Sequence, residues 1–174
     1  MENKIEKLAD IVKNSKHLVF FTGAGVSTES GLKSFRGKDG LYSSLYKGKY
    51  RPEEVLSSDF FSSHRKIFIE YVEEELNING IKPNKGHLAL AELERMGILK
   101  AVITQNIDDL HQMAGNKNVL ELHGSLKRWY CLSCGKTADR NFSCECGGVV
   151  RPDVTLYGES LNQAIVNEAI YQLE

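Results

Sequence analysis

The pattern of apolar and polar positions divides this chain into helices and strands in alternation. Ile5, Leu8, Ile11 and Val12 share one face of residues 2–14, with charges elsewhere, which predicts a short amphipathic helix whose job is packing. The unbroken run Leu18-Val19-Phe20-Phe21-Thr22 predicts a buried strand that empties into Gly23-Ala24-Gly25-Val26-Ser27, with a short helical turn from Ser27. Residues 40–50, polar and rich in tyrosine, keep no regular period and predict a mobile loop over a cofactor. Phe61, Phe68, Tyr71, Val72 and Leu76 mark a second helix, Gly80 to Pro83 break it, and a third spans about 85–96 up to Gly97. Strands follow at 100–104 and 119–123, joined by a short helix through Leu110, and another extended run occupies 149–157. Strands alternating with helices predict an α/β fold built on a parallel, doubly wound sheet.

Composition narrows the class. A length of 174 residues suits one domain with a small insert. Charged residues make up 26% and hydrophobic ones 41%, and the formal net charge of −1 offers no general attraction for nucleic acid or anionic lipid. No apolar run nears the roughly eighteen residues of a membrane span, and the first residues lack the apolar core of a signal peptide. The expected location is therefore cytoplasmic, with no membrane partner.

All four cysteines lie between 131 and 146, and in a reducing compartment such a cluster reads as a metal site rather than two disulfides. Cys131-x-x-Cys134 and Cys144-x-Cys146 supply two pairs of thiolates for one tetrahedral zinc, and Gly135 and Gly147-Gly148 suit the knuckle turns. The second pair is tighter than the usual C-x-x-C. Four cysteine ligands leave no open position, so the zinc is structural.

The glycine turn after the first strand reads as a nucleotide phosphate site, because Gly23 and Gly25 let the backbone approach an anion. Thr28 stands where a third glycine would complete the dinucleotide fingerprint, which disfavours an ordinary hydride-transfer dehydrogenase. Thr104-Gln105-Asn106-Ile107-Asp108 ends a strand where open α/β sheets bind ligands, and its side chains can hold ribose hydroxyls and a carboxamide. Asn106 and Asp108 can equally cap the next helix. His123, beside Gly124 at the end of another strand, is placed for a general base, whereas His17, His64, His87 and His111 read as surface or packing residues. Arg36 can pair with a phosphate or an acidic partner, and Phe35 can cover a planar base or shield a reactive ion.

Taken in order, these motifs, followed by Arg151-Pro152-Asp153-Val154-Thr155-Leu156-Tyr157-Gly158-Glu159, resemble the sirtuins, NAD-dependent protein lysine deacylases, from about residue 8 to Leu161. The resemblance implies a Rossmann-like part over 1–126 with a helical insert at about 40–84, a zinc module over 127–150, and a return strand and helix of the Rossmann-like part over 151–174. An NAD and acyl-lysine cleft lies between the parts. Gly23, Ala24, Gly25 and Ser27 would hold NAD phosphates and ribose, Phe35 and Arg36 the reactive ribose, and Gln105, Asn106 and Asp108 the nicotinamide pocket. His123 would deprotonate a ribose hydroxyl after nicotinamide leaves, giving free lysine and O-acyl-ADP-ribose. Val154, Thr155, Leu156, Tyr157 and Gly158 would pair with the substrate backbone. Cys131, Cys134, Cys144 and Cys146 would bind the zinc.

The chain also departs from the family pattern. Lys33-Ser34 replaces the usual Pro-Asp, removing a carboxylate that helps position Arg36, and Asp109 stands where glycine is frequent. Ile69 and Val72 occupy the places of a tyrosine and an arginine in desuccinylating members, so acetyl or apolar acyl groups fit better. The sequence ends at Glu174 in a helical run, where the family continues into two further strands. From this the sheet is expected to be incomplete on its C-terminal side, with Val154 to Leu156 an unpaired apolar edge and NAD turnover weak. The competing readings are a catalytically silent zinc-bearing scaffold and a mono-ADP-ribosyltransferase. A nucleic-acid-binding ribbon built on Lys127, Arg128, Lys136 and Arg140 is disfavoured, since such a cluster is usually a solvated face.

Overall fold

Leu18–Thr22 (β1), Leu99–Thr104 (β2) and Val119–Glu121 (β3) form a parallel sheet in the order β1-β2-β3. The structure is a computed structural model that describes residues 3–139 and 144–174. The central strand β2 is buried from Ala101 through Thr104, which explains why its sequence is a continuous apolar run and not an alternation. Thus the parallel α/β arrangement expected from the sequence is present.

Lys4–Asn14 (α1) starts where Asn3 accepts a hydrogen bond from the Ile5 amide. Its role differs from the expected one. Ile5, Leu8 and Ile11 are exposed, and only Val12 reaches the core formed by Leu18, Leu90, Leu99 and Val102.

The next helices are Pro52–Val55 (α2), Ser58–Ser63 (α3) and Arg65–Glu74 (α4). The single second helix read from the sequence is broken at His64, whose φ of −132° and ψ of 40° leave the helical region. The break lets Phe60 and Phe61 of α3 and Phe68, Tyr71 and Val72 of α4 enter one core. Residues 40–50 are not the mobile loop expected. Leu41 and Tyr46 are buried in that same core, the Tyr46 hydroxyl donates to Glu74, and Tyr46 bridges Tyr50.

Lys85–Arg95 (α5), capped by Asn84, covers the sheet through Leu90, and Leu110–Ala114 (α6) follows β2. Gly124–Cys131 (β4) and Val150–Val154 (β5) form a separate antiparallel sheet, and Gln163–Tyr171 (α7) lies against β3. This corrects the expectation that the strand after 150 joins the parallel sheet and leaves an apolar edge, whereas the helix that follows does return to that sheet. Val150–Val154 pairs with β4, the Thr155 amide donates to the His123 carbonyl, and Tyr157 pairs with Ser57. The physical reason lies at Gly124. Its φ of +76° turns the chain back immediately after β3, and a Cβ there would overlap the Asp153 carbonyl, so only glycine admits the two strands so close. Trp129, Cys131 and Val150 then pack against the helical insert. The insert and the cysteine-bearing sheet share one core, and the parallel sheet has its own. Among the described residues no helix is long and apolar enough to cross a membrane.

Candidate active site

A cleft of about 600 Å³ lies where the carboxyl ends of β1 and β2 face the segment after β5. Ala24, Phe35, Arg36, Gln105, Asn106, His123 and all five residues from Val154 to Gly158 line it. Ser27 and Asp108 line an adjoining pocket that shares Ala24, Phe35 and Asn106 with the first. Gly23 and Gly25 line neither, and neither uses a left-handed backbone. The turn from β1 is a 3₁₀ helix over Ala24–Ser30, three residues earlier than read from the sequence, and a Cβ at Gly25 would meet open space.

A buried hydrogen-bond network fixes the floor of the site. Ser27 Oγ donates to Asp108 Oδ2 at 2.6 Å, and Asn106 Nδ2 donates to Ser27 Oγ at 3.1 Å and to the Gly23 carbonyl at 3.2 Å. Asn106 therefore ties the end of β2 to the end of β1 and does not cap α6. Asp108 does the capping the sequence allowed, its Oδ1 accepting the Leu110 amide at 3.0 Å, while its other oxygen holds Ser27.

Beneath this network lie two histidines that sequence reasoning assigned to surface or packing. His87 and His111 are fully buried, with ring centroids 4.8 Å apart. His87 Nδ1 accepts the Asn84 amide, so its Nε2 carries the proton and points it at Ser27 Oγ, 3.5 Å away. His111 Nε2 meets Thr22 Oγ1 at 3.0 Å. Only His111 carried a signal, lying one helical turn beyond the Gln105 to Asp108 motif. His17 and His64 are the surface residues expected, one bonded to the Gln172 carbonyl and the other stacked on Phe60.

Burial lowers His111 to about 4, with His87 adding to the effect and Asp108 opposing it; burial also lowers His87, against Asp108. Both rings are neutral in the folded protein, and the unfolded chain binds protons more readily below its ordinary histidine value of about 6.5. Their contribution to stability is complete above that pH and is lost as pH falls below it, for His111 progressively toward 4. Thermal unfolding followed from pH 7.5 to 4.5 is expected to show a loss of about 2–3 kcal/mol from His111 alone, with a smaller slope in His111→Gln. A flat profile over this range would contradict the buried neutral pair.

His123 sits in the turn between β3 and β4, two residues beyond the strand end. Its Nδ1 lies 2.9 Å from the Gln105 carbonyl, which can only accept, so Nδ1 bears the hydrogen and Nε2 is left as a base facing the cleft. Among the described residues no side chain pairs with the Arg36 guanidinium. Where the carboxylate is missing, Ser34 Oγ donates to the Arg36 carbonyl at 2.7 Å and holds the backbone, not the guanidinium. Val72 is core and Ile69 packs against it, so neither lines the cleft.

The segment after β5, which lines the cleft, is more constrained than the sequence implied. Arg151, buried, donates to both oxygens of Glu159 at 2.5 and 3.0 Å and to the Val154 carbonyl, and lies over the Phe61 ring. Glu159 in turn accepts the Leu156 amide. The Tyr157 amide and carbonyl are taken by Leu56 and Ser58, so Tyr157 cannot pair with an incoming chain through its backbone. Gly158, with φ +90°, follows it.

The four cysteine sulfurs lie within 4.8 Å of one another. Cys131 to Cys146 is 3.5 Å and Cys134 to Cys144 is 3.7 Å, far beyond a disulfide and near the ~3.8 Å between sulfurs around a tetrahedral zinc. Gly135 and Gly147 adopt the left-handed backbone of knuckle turns, their amides donating to the Cys131 and Cys144 carbonyls. Hydrogen bonding from the Cys134 backbone lowers the Cys131 thiol, while Cys146, against the Gly148 backbone that lowers it, is raised by the neighbouring sulfurs, so the crowded cluster holds its negative charge unevenly until a cation shares it. The donor set fits one structural zinc. Of the basic residues nearby, Arg128 is neutralised by Glu121 and Asp153 at 2.6 and 2.9 Å, and Arg140 lies outside the described residues.

The comparisons with known proteins agree with this architecture. A model of the Sir2 family matches residues 23–174. The chain is 81% identical over 173 residues to a protein of Fusobacterium nucleatum subsp. nucleatum named NAD-dependent protein deacetylase, covering 99% of this chain and 69% of that protein. A Clostridium perfringens protein of the same name is 48% identical, with 98% and 73% covered. A solved structure described as "Sir2-p53 peptide-NAD+" superposes with a TM-score of 0.84 at 36% identity, over 97% of this chain and 70% of that one. Another, described as a Sir2 homolog-NAD complex, gives 0.84 at 41% identity, over 97% and 68%.

Proposed function

The chain belongs to the Sir2 family, the sirtuins, and on that footing we propose that it removes acetyl or other apolar acyl groups from protein lysines at the expense of NAD. The observation that carries this reading is the placing of His123 between the two halves of one cleft, its Nδ1 tied to the Gln105 carbonyl and its Nε2 free. NAD supplies a nicotinamide that can leave and a ribose carbon that the acyl oxygen attacks. Ala24 and the Arg36 guanidinium line the cleft for the phosphates and ribose, and Phe35 covers the reacting side and excludes water. Asn106 and Asp108, braced through Ser27, present amide and carboxylate groups to the nicotinamide end. His123 Nε2 takes the proton from a ribose hydroxyl, and the segment around Gly158 meets the main chain of the substrate. Apolar acyl groups suit a wall that includes Leu56, Leu76, Ile107 and Leu161. A cytoplasmic setting suits four cysteines spaced as thiolate ligands and not as disulfides.

The test is to incubate the zinc-loaded protein with NAD and an acetyl-lysine peptide and follow both nicotinamide release and loss of the acetyl mass. Stoichiometric appearance of nicotinamide and deacetylated peptide supports the proposal. Folded protein that binds peptide without consuming NAD points to a scaffold, and label passing from NAD to a protein points to ADP-ribosyl transfer.

A further inference from the structure

Two tyrosine hydroxyls meet in the lining of the cleft. Tyr42 Oη lies 3.1 Å from Tyr157 Oη, and both residues line the cleft. Each belongs to a segment that is otherwise tied to its own side. Residues 34–42 form a closed loop in which the Leu41 amide donates to the Ser34 carbonyl and the Tyr42 amide to the Phe35 carbonyl. Gly40 is forced there, because a Cβ would come within 2.8 Å of the Arg36 backbone. The Tyr42 ring also packs on Phe35, with centroids 5.5 Å apart. A displacement of Tyr42 is thus carried to Phe35 and Arg36. Tyr157 is locked by both backbone groups to Leu56 and Ser58, next to Gly158 on the peptide-facing side. Burial, and then the Tyr157 hydroxyl, push the Tyr42 phenol well above its ordinary range, so it stays neutral and able to donate.

We propose that the Tyr42–Tyr157 hydrogen bond is a positioning contact through which bound acyl-lysine peptide orders Phe35 and Arg36 for NAD. The inference rests on the deacylase reading above and adds to it a coupling between its two substrates. The Tyr157 backbone is held already, and peptide lying along Gly158 restricts its exposed side chain; the hydroxyl pair then restricts Tyr42, and the loop presents Phe35 and Arg36 in one arrangement. A single hydrogen bond at a half-exposed site supports a coupling of about two- to tenfold in affinity, and by linkage NAD raises peptide affinity by the same factor.

Titration calorimetry of the wild type, Tyr42→Phe, Tyr157→Phe and the double variant, with a non-cleavable carbocyclic analogue of NAD alone and with that analogue after saturation by an acetyl-lysine peptide, tests this. In the wild type, peptide is expected to tighten NAD binding by that factor; either single substitution abolishes the gain, and the double variant loses no more than either one. Hydrogen exchange with peptide alone supplies a second reading that needs no NAD: the Leu41 and Tyr42 amides slow in the wild type and not in Tyr157→Phe. Equal coupling in all four proteins overturns the positioning contact while leaving the deacylase intact. A wild type that binds neither NAD nor peptide overturns both.

Discussion

Stripping zinc with a strong chelator is expected to unfold the segment between Cys131 and Cys146 and to carry the cleft with it. The segment has few apolar residues of its own: Leu132 is exposed, as are Cys134 and Cys146. The order of its described parts comes from the knuckle turns and from four sulfurs converging within 4.8 Å. Gly148 shows how tightly they converge, since a Cβ there would lie 2.5 Å from Cys131 Sγ. Structural zinc contributes about 10–16 kcal/mol of apparent binding energy, comparable with the roughly 5–15 kcal/mol that stabilises a whole domain. Four thiolates brought together without the cation would repel one another. Because Cys131 and Val150 are paired across β4 and β5 and belong to the core of the helical insert, the damage spreads beyond the knuckles.

Trp129 makes the effect measurable. It is the single tryptophan, 5% exposed, with its Nε1 donating to the Leu126 carbonyl. Chelation is expected to shift its emission to the red, to lower the unfolding temperature by more than ten degrees or so, and to abolish activity, all restored by one equivalent of zinc. Cys131→Ser should reproduce the chelated state. Metal-free protein with native emission and unchanged unfolding would mean that the cysteines are not a structural site.

What could be read along the chain beforehand was what local chemistry decides. β1 and β2 are continuous apolar runs, α5 is framed by Asn84 and Gly97, and the cysteine quartet is confined to sixteen positions. What could not be read depends on contacts distant in sequence. The partner of Val150–Val154 is chosen by the left-handed turn at Gly124, and a glycine in sequence does not reveal which carbonyl it will clear. The break between α3 and α4 falls at His64 without a glycine or proline to announce it. His87 and His111 became part of the site only because α5 and α6 converge beneath Ser27 and Thr22. Ser34 looked like the loss of a carboxylate, yet its hydroxyl holds the Arg36 backbone. Tyr157 looked free to pair with a substrate strand, yet the helical insert already occupies it.

His123→Ala is expected to lower the rate of peptide deacetylation by about 10²- to 10⁴-fold, the range a positioned general base supplies. The imidazole owes its orientation to a main-chain group, the Gln105 carbonyl, at the end of a strand that is buried on both faces. Side-chain changes at Gln105 therefore leave the ring in place, and the test falls on His123 itself. The position of the base in the reaction makes a sharper demand than the size of the loss. If His123 takes a ribose proton after nicotinamide has departed, the alanine variant still releases nicotinamide, and labelled nicotinamide still exchanges into NAD, at rates far less reduced than deacetylation. Asn106→Ala should behave in the opposite sense, losing exchange and deacetylation together, if the pocket that Asn106 braces through Ser27 and Gly23 is where nicotinamide departs. Mass spectrometry of both products in the two variants separates these steps. Equal loss of exchange and deacetylation in His123→Ala would move the residue to the departure step, and a near-normal deacetylation rate would mean that another group in the cleft is the base.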